Sequence, residues 1–568
     1  MNSIWIVLIS IAAFWAAYNF YGNFIARKIF HSRKENPVPS EELRDDIDYV
    51  PTNKEVLFGH HFASIAGTGP IVGPAIAIIW GWVPALVWII FGSIFAGAVH
   101  DYAALMMSTR KKGVSIGELS KDVINPRVRT LFLFVILFAL WIVVAIFGMV
   151  IAVIFKMYPQ AVFPVWIQIP IAVSVGWLAY RKGWNITAMS IIAVLLMYAS
   201  IFVGVNMPLS MPGLWILTPM AVWIIILFIY AYIASVLPVW TLLQPRDYVN
   251  SHQLIVGIVL IVLGVLVANP PMVAPAVQLA PKGAPPIMPF LFITIACGAI
   301  SGFHSLVSSG TSSKQLKNEE DIHFVAYGGM LTEGLVGVLV IIAVGAGIGM
   351  FVKTDSGEVL RGVAAWQHHY SSWESAQGLT AKVAAFVNGS ANMLTALKIP
   401  LKYGQAIIGV LIASFAGTTL DTATRIQRYV VTELATDYRI KPLQKRYPAT
   451  ALVVLAAAAL AFSEGSGMGA LLLWPLFGIS NQLLAGLVLL VASIYIIKEE
   501  KTSAWPTAIP MIFMIITSSW AMVVGLLHFF HTGSHLRLVI GSILFVLEIW
   551  MIIEAVLYMK KWKINARL

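Results

Sequence analysis

Apolar runs of about 20 residues recur along almost the whole chain, separated by short polar stretches, and that length is what a helix needs to cross a bilayer. The pattern predicts crossing helices at 4–25, 58–82, 84–109, 131–155, 164–180, 186–205, 215–240, 254–268, 287–309 and 324–351. It continues with 406–422, 450–462, 470–497, 507–529 and 538–559. A weakly apolar stretch, 381–397, stands apart from these. Lys and Arg cluster after several of the runs, at Arg27-Lys28, Arg110-Lys111-Lys112, Arg181-Lys182 and between Arg425 and Arg446. If these basic loops are cytoplasmic, the N-terminus lies outside and the C-terminus inside. The loops then agree only if 381–397 does not cross.

The second run is interrupted. FGHHFASIAGTGPIVGP, residues 58–74, carries glycine and proline too densely for an unbroken helix, because proline lacks the N–H and glycine weakens a helix interior. Irregular backbone at membrane depth is tolerated only where it is buried in protein or lines a cavity. The stretch therefore reads as a broken helix at a binding site. It has an echo: Gly59, His61, Gly67 and Thr68 recur as Gly302, His304, Gly310 and Thr311 in SGFHSLVSSGTSS. The two copies run in opposite directions across the membrane, as in transporters built from inverted repeats. A second echo, Phe95-Ala96-Gly97 with Asp101 against Phe415-Ala416-Gly417 with Asp421, joins helices of the same direction. It reads as coincidence or shared packing chemistry.

Composition confirms the class. The 568 residues are 59% hydrophobic and 11% charged, with a mean hydropathy of +0.84, whereas a soluble domain carries about 25% charged residues. The net charge of +11 sits in loop clusters and does not point to nucleic acid. A single cysteine, Cys297, excludes an intramolecular disulfide and a cysteine-only zinc or iron–sulfur site; in its apolar run it reads as a small packing residue. The first run lacks a basic n-region and a cleavage site, so it reads as a retained helix rather than a signal. The organisation expected is a peripheral first helix (1–30), a cytoplasmic loop (31–57), a transporter core (58–500) with breaks within 58–82 and 287–313, and a C-terminal helical pair (501–568).

Ionisable residues at membrane depth are expensive and are functional candidates by default. They are His60, His61, His100, Asp101, His304, Glu333 and Asp421. Histidine can relay protons near neutral pH, and a carboxylate beside it can hold the imidazolium. The blander readings are an interfacial or capping role for His60 and His61, a buried partner role for Asp101, and an i,i+4 ion pair of Asp421 with Arg425. Paired His and Asp are compatible with zinc, but no tight ligand spacing such as HExxH is present, and neither a metal nor a cofactor is expected. Gly67, Thr68 and Gly69, with Ser305, Ser308, Ser309, Gly310 and Thr311, offer free backbone N–H groups and hydroxyls. Half-helix N-termini favour anions, so a carboxylate substrate is the first guess; the same backbone could offer carbonyls to sodium. The plain alternative for the hydroxyls is bonding to preceding helix carbonyls. In WPLFGISNQ, Pro475 and Gly478 predict a kink, and Asn481 and Gln482 need buried partners.

GHHFASIAGTGPIVGP, GAVHDYAALMMSTRKKGVSIGEL, SGFHSLVSSGTSSKQ, FAGTTLDTATRIQRY and WPLFGISNQLLA together resemble the carbon starvation protein A (CstA) family, over roughly residues 1–500. The family is placed in the amino acid–polyamine–organocation superfamily, with inverted repeats and broken helices. The resemblance implies a bacterial inner-membrane secondary transporter, induced by carbon limitation, that takes up peptides or, in some members, pyruvate with protons. This chain is shorter than the longer members, which carry extra C-terminal sequence.

The expectation is an all-α polytopic membrane protein of about 15 crossings, leucine-transporter-like, with inverted repeats and discontinuous helices. It imports a small carboxylate or short peptide, with H⁺ as coupling ion and Na⁺ as the other choice. Gly67, Thr68, Gly69, Ser305, Ser308, Ser309, Gly310 and Thr311 bind substrate. His60, His61, His100, Asp101, His304 and Asp421 couple protons or form the gate. The rival readings are a metal-dependent membrane enzyme and an ion channel. Peptide or pyruvate, and oligomeric state, stay open.

Overall fold

In the computed structural model, 12 helices are long and apolar enough to cross a membrane, and a bent pair makes up to 13. The structure describes residues 1–215, 217–354 and 356–565; the last three residues of the C-terminal pair, 566–568, lie outside them. Two further elements bring the number of apolar crossings close to the expected one: the pair Ile287–Thr294 and Gly302–Gly310, and the shorter Arg446–Ala461.

Burial sorts these helices into an interior and a rim. Of the most apolar part of Trp474–Glu500, 94% is buried, against 22% for His535–Trp562. Val546, Trp550, Ile553 and Leu557 stand exposed on that outer helix, an apolar face of the kind that membrane-spanning helices turn to lipid. Leu379–Thr395 is a helix of 17 residues, too short at about 1.5 Å per residue to span about 30 Å of hydrocarbon. Its C-terminal half is held to the end of the preceding span, where the Asn392 amide donates to the carbonyls of Gly347 (3.0 Å) and Phe351 (2.7 Å).

Two boundaries move substantially. The helix expected at 254–268 begins at Leu243, and the one expected at 406–422 runs Leu401–Asp437. The added turns carry Arg246, Asp247, Arg425 and Arg428, all buried. Hydropathy reads such residues as loop, but here Arg246 pairs with Asp247, Arg425 with Asp48, and Arg428 lies 4.6 Å from the Tyr429 ring centre. The basic segments converge on one face. Arg110 meets Glu319 (2.8 Å) and Glu500 (2.5 Å), Arg425 meets Asp48 (3.4 Å), and Arg129 pairs with Asp437.

The first broken helix consists of Lys54–Ile65 and Gly69–Trp80, bent by 46° across residues 66–68. Pro70 sits in the first turn of the second half, where its missing N–H removes no bond. The second broken helix is Ile287–Thr294 and Gly302–Gly310. Its break, residues 295–301, turns at Gly298 with φ +88°, a conformation glycine adopts without steric cost. The two helices run antiparallel, joined at both ends: Thr52 N–H donates to Gln315 O (2.9 Å), and Gln278 N–H to Trp80 O (2.8 Å). Between these ends they touch. A Cβ on Gly69 would lie 2.5 Å from Cys297 Sγ, and one on Gly73 would lie 2.4 Å from Thr294 O.

The four-residue echo is not what relates the two helices. His61 lies in the half before its break, and His304 in the half after its own. The copies therefore occupy the same end of the antiparallel pair rather than positions an inverted repeat would exchange. The second echo is coincidence: Gly97 packs against Ala299 O, 2.3 Å from an added Cβ, while Gly417 has nothing within 4 Å.

Candidate functional site

The candidate proton-handling residues fall into two buried networks. The first lies at the second break. His304, in the opening turn of Gly302–Gly310, places Nδ1 2.9 Å from Asp101 Oδ2 and Nε2 3.2 Å from Glu333 Oε2. Asp101 Oδ1 accepts from His100 Nδ1 at 2.7 Å. The four residues come from three helices, Trp82–Arg110, Gly302–Gly310 and His323–Met350, and all are fully buried. Several atoms here lack hydrogen-bond partners: His100 Nε2, His304 Nε2 and both Glu333 carboxylate oxygens.

The second network is built around Arg246. Its guanidinium donates to Asp247 Oδ1 (2.7 Å), to Asp421 Oδ1 (3.2 Å), and also to Asp421 Oδ2 and the Tyr230 hydroxyl. Tyr230 in turn donates to Asp421 (3.0 Å), and Asp247 Oδ2 takes His60 Nδ1 at 2.7 Å. Asp421 thus pairs with Arg246 rather than with Arg425 one turn on. Arg425 points the other way, donating to the carbonyls of Ala234 (3.0 Å) and Leu237 (2.5 Å). His60 and His61 are fully buried, which rules out the interfacial role. His61 belongs to neither network by hydrogen bonding, since its Nδ1 meets Ser312 Oγ at 2.9 Å.

The candidate substrate residues separate by what their polar atoms do. Ser305 Oγ donates to Gly302 O (2.7 Å), Ser309 Oγ to Ser305 O (2.8 Å) and Thr311 Oγ1 to Val307 O (3.0 Å). These three hydroxyls donate within their own helix, and Ser309 Oγ also accepts from Ile116 N–H at 3.1 Å. Ser308 Oγ and Thr68 Oγ1 are buried and have no partner. The expectation that Ser308–Thr311 presents free N–H groups fails, because these residues close a helix instead of opening one, and Thr311 N–H bonds Val307 O. The N-terminus of that half-helix lies at Ser301–Phe303, where the Asn481 side chain accepts from Phe303 N–H (2.9 Å). Asn481 and Gln482 are tied to the second break, the latter donating to Ile300 O (3.0 Å). Gly67 and Gly69 serve close approach: an added Cβ would meet Thr419 Oγ1 and Cys297, each at 2.5 Å.

A cavity of about 210 Å³ opens beside the same half-helix, on the basic face. Its lining includes Ser309, Gly310, Lys314, Tyr49, Tyr429 and Glu433. Lys314 Nζ stands 4.2 Å from the Tyr429 ring centre, and Glu433 accepts from the Ser115 hydroxyl at 3.0 Å.

The family model of carbon starvation protein CstA matches residues 2–521. The chain belongs to the CstA family. Among its relatives, the peptide transporter CstA of Bacillus subtilis (strain 168) is 35% identical over 92% of this chain and 90% of its own length. The pyruvate/proton symporter BtsT of Escherichia coli (strain K12) is 32% identical, over 92% of this chain and 81% of its own. Among solved structures, a manganese transporter of Eremococcus coleocola, bound to an aromatic bis-isothiourea compound, aligns with a TM-score of 0.47 and 14% identity. That alignment covers 91% of this chain and 99% of the other.

Sequence reasoning missed part of the site of this CstA-family chain. Arg246, Asp247 and Tyr230 were absent from the candidates, although an adjacent Arg-Asp pair between two apolar runs is itself a signal. Glu333 was noticed without a partner. Cys297 was read as packing only, because its neighbours His304 and Glu333 become neighbours only through the break and the following helix.

Proposed function

We propose that this chain is a secondary active transporter of the bacterial inner membrane, with its N-terminus outside and its C-terminus in the cytoplasm. It imports a short peptide or pyruvate together with protons. The observation that carries this reading is the antiparallel pair of discontinuous helices, whose breaks meet in the buried interior beside protonatable side chains. Such breaks expose backbone groups to a substrate while the flanking half-helices stay packed. The relatives' activities support the substrate class, and the convergence of the basic segments on one face supports the orientation. Ser308 and Thr68, the two candidate hydroxyls left without partners, are the groups with hydrogen bonds to give a substrate.

Of the two substrates, the cavity beside Ser309 favours the peptide. It offers an ammonium at Lys314 for a carboxylate and a carboxylate at Glu433 for an amino terminus. Pyruvate would leave Glu433 unanswered. The test is uptake into proteoliposomes of labelled dipeptide and labelled pyruvate, with and without an inward proton gradient. Gradient-driven accumulation of the dipeptide is expected. Accumulation of neither solute under proton or sodium gradients would sink the transport reading, and accumulation of pyruvate alone would sink the peptide preference.

A further inference from the structure

Among the described residues, Cys297, His304 and Glu333 form a group whose ligand atoms (thiol sulfur, imidazole nitrogen and carboxylate oxygen) all lie within 4.8 Å of one another. Cys297 is 7% exposed, and the other two are fully buried. The cysteine lies in the second break, the histidine on the half-helix that follows it, and the glutamate on the next span.

The hydrogen bonds around His304 decide what this group can do. Nδ1 faces Asp101 Oδ2 at 2.9 Å, and an ionised carboxylate only accepts, so Nδ1 carries the proton. When the ring is neutral, it presents a lone pair at Nε2. That lone pair lies 3.2 Å from Glu333 Oε2, which is also an acceptor. No aligned hydrogen bond reaches either atom or the other Glu333 oxygen, although the Cys297 thiol lies within reach of His304 and the Gly298 N–H within reach of Glu333. Two acceptors turned on each other without a bond call for a positive body between them. A proton on Nε2 supplies one as an ion pair at 3.2 Å, without an aligned hydrogen bond. A metal ion needs only converging lone pairs, and tetrahedral bonds of about 2.0–2.1 Å place two such ligand atoms about 3.3 Å apart.

The surroundings fit as well. A metal-bound imidazole commonly donates its other N–H to a carboxylate, which fixes its tautomer. Asp101 occupies that position and is itself held by His100 at 2.7 Å. One thiolate, one imidazole and one carboxylate suit a borderline ion such as zinc or cobalt(II), whereas magnesium and calcium prefer oxygen throughout. We propose that Cys297, His304 and Glu333 form a binding site for a divalent transition metal of the zinc class at the second break. Binding releases the thiol proton to solvent as the sulfur becomes a thiolate ligand, and a fourth position stays open for water. The ion ties the break to the span His323–Met350, so bound metal inhibits uptake; that consequence, unlike the binding, rests on the transport reading above.

The test is a cobalt(II) titration of the purified full-length chain after chelator treatment, with monodispersity in detergent as the folding control. The expected result is saturable binding of one ion per chain with a thiolate-to-cobalt charge-transfer band in the near ultraviolet, displaced by zinc. Since the chain has one cysteine, the band reports Cys297 and disappears in Cys297→Ser. Asp101→Asn, a positioning change, keeps the band and weakens cobalt binding about 10–100-fold. Absence of saturable binding by the folded wild-type chain, or binding without the thiolate band, overturns the proposal. Because the wild-type titration alone decides it, a variant that fails to fold leaves the outcome readable. The binding result is independent of uptake, so a chain that binds cobalt but transports nothing would overturn the transport reading and keep the metal site.

Discussion

Both buried networks join histidine to carboxylates, but only one of them holds an arginine. Around Arg246, a permanent cation stands between Asp247 and Asp421, and both carboxylates are ion-paired. Around His304 every group can gain or lose a proton, and four polar atoms are left without partners. Guanidinium does not deprotonate in proteins, so the pairing of Arg246 with Asp247 and Asp421 keeps its cation at any pH a cell meets. The arrangement around His304 is balanced only when something positive joins it. A membrane interior charges heavily for unpaired ions, so fixed pairing marks a place that holds the bundle together. Incomplete pairing marks a place where an ion comes and goes.

The largest expected effect breaks the fixed side of this contrast. Arg246→Ala leaves two buried carboxylates facing each other, and losing one partner of a buried pair costs about 3–5 kcal/mol. A large drop in the thermal midpoint of the detergent-purified chain is expected. A stable Arg246→Ala protein would show that the two networks do not differ as argued. The next effect breaks the incomplete side. Asp101→Asn removes the carboxylate between His100 and His304 and should lower gradient-driven uptake by roughly 5–150-fold, at a smaller loss of thermal stability than Arg246→Ala. Full proton-driven uptake by this variant would remove Asp101 from the coupling path.

Two glycines beside the networks sharpen the comparison further. Gly69→Ala puts a methyl 2.5 Å from Cys297 and should cost about 1–3 kcal/mol through overpacking. Gly417→Ala, one turn before Asp421 and with nothing within 4 Å, should be neutral or stabilise by roughly 0.5–1 kcal/mol. Equal effects in thermal denaturation would contradict the tight contact between the two breaks. The smallest effect lies outside the membrane, at Asp48. Burial pushes its carboxyl up, but Arg425, Lys314 and the Tyr429 hydroxyl outweigh that and hold it below its ordinary 3.8. A depressed folded value means stability that is complete above the ordinary value and lost as pH falls through the folded one. Asp48→Asn should therefore be less stable than wild type at neutral pH, and the two melting curves should converge in acid. A stability difference that grew on acidification would contradict the sign.

The sequence made the crossings legible because apolar runs declare themselves one residue at a time. The first break was legible for the same local reason: Gly67, Gly69, Pro70, Gly73 and Pro74 lie close together. The second break turns on Gly298, inside an unremarkable apolar run, so the stretch 287–313 could be marked as broken without showing that the break falls at residues 295–301. The motif at Ser308–Thr311 resembles the first break in letters but closes a helix, and the buried residues that follow pass straight into a short turn at Ser312–Lys314. Pairing over long separations was invisible. Arg246 and Asp421 each look too costly for a membrane interior until the other is beside it, and His304 looks like a relay until Glu333 and Cys297 arrive from other segments.

The hydrogen bonds that fasten the two broken helices, Thr52 to Gln315 at one end and Gln278 to Trp80 at the other, have a mechanical meaning. A pair of rods clamped together at both ends cannot slide past each other as wholes. Any change in their relative geometry has to be taken up in the interval between the clamps. Within that interval the backbone is unwound at residues 66–68 and 295–301, where Thr68, Cys297 and the approach to His304 lie, as well as in the connecting residues 279–286. The pair thus resembles a double-jointed strut, whose two elbows lie where its chemistry is gathered.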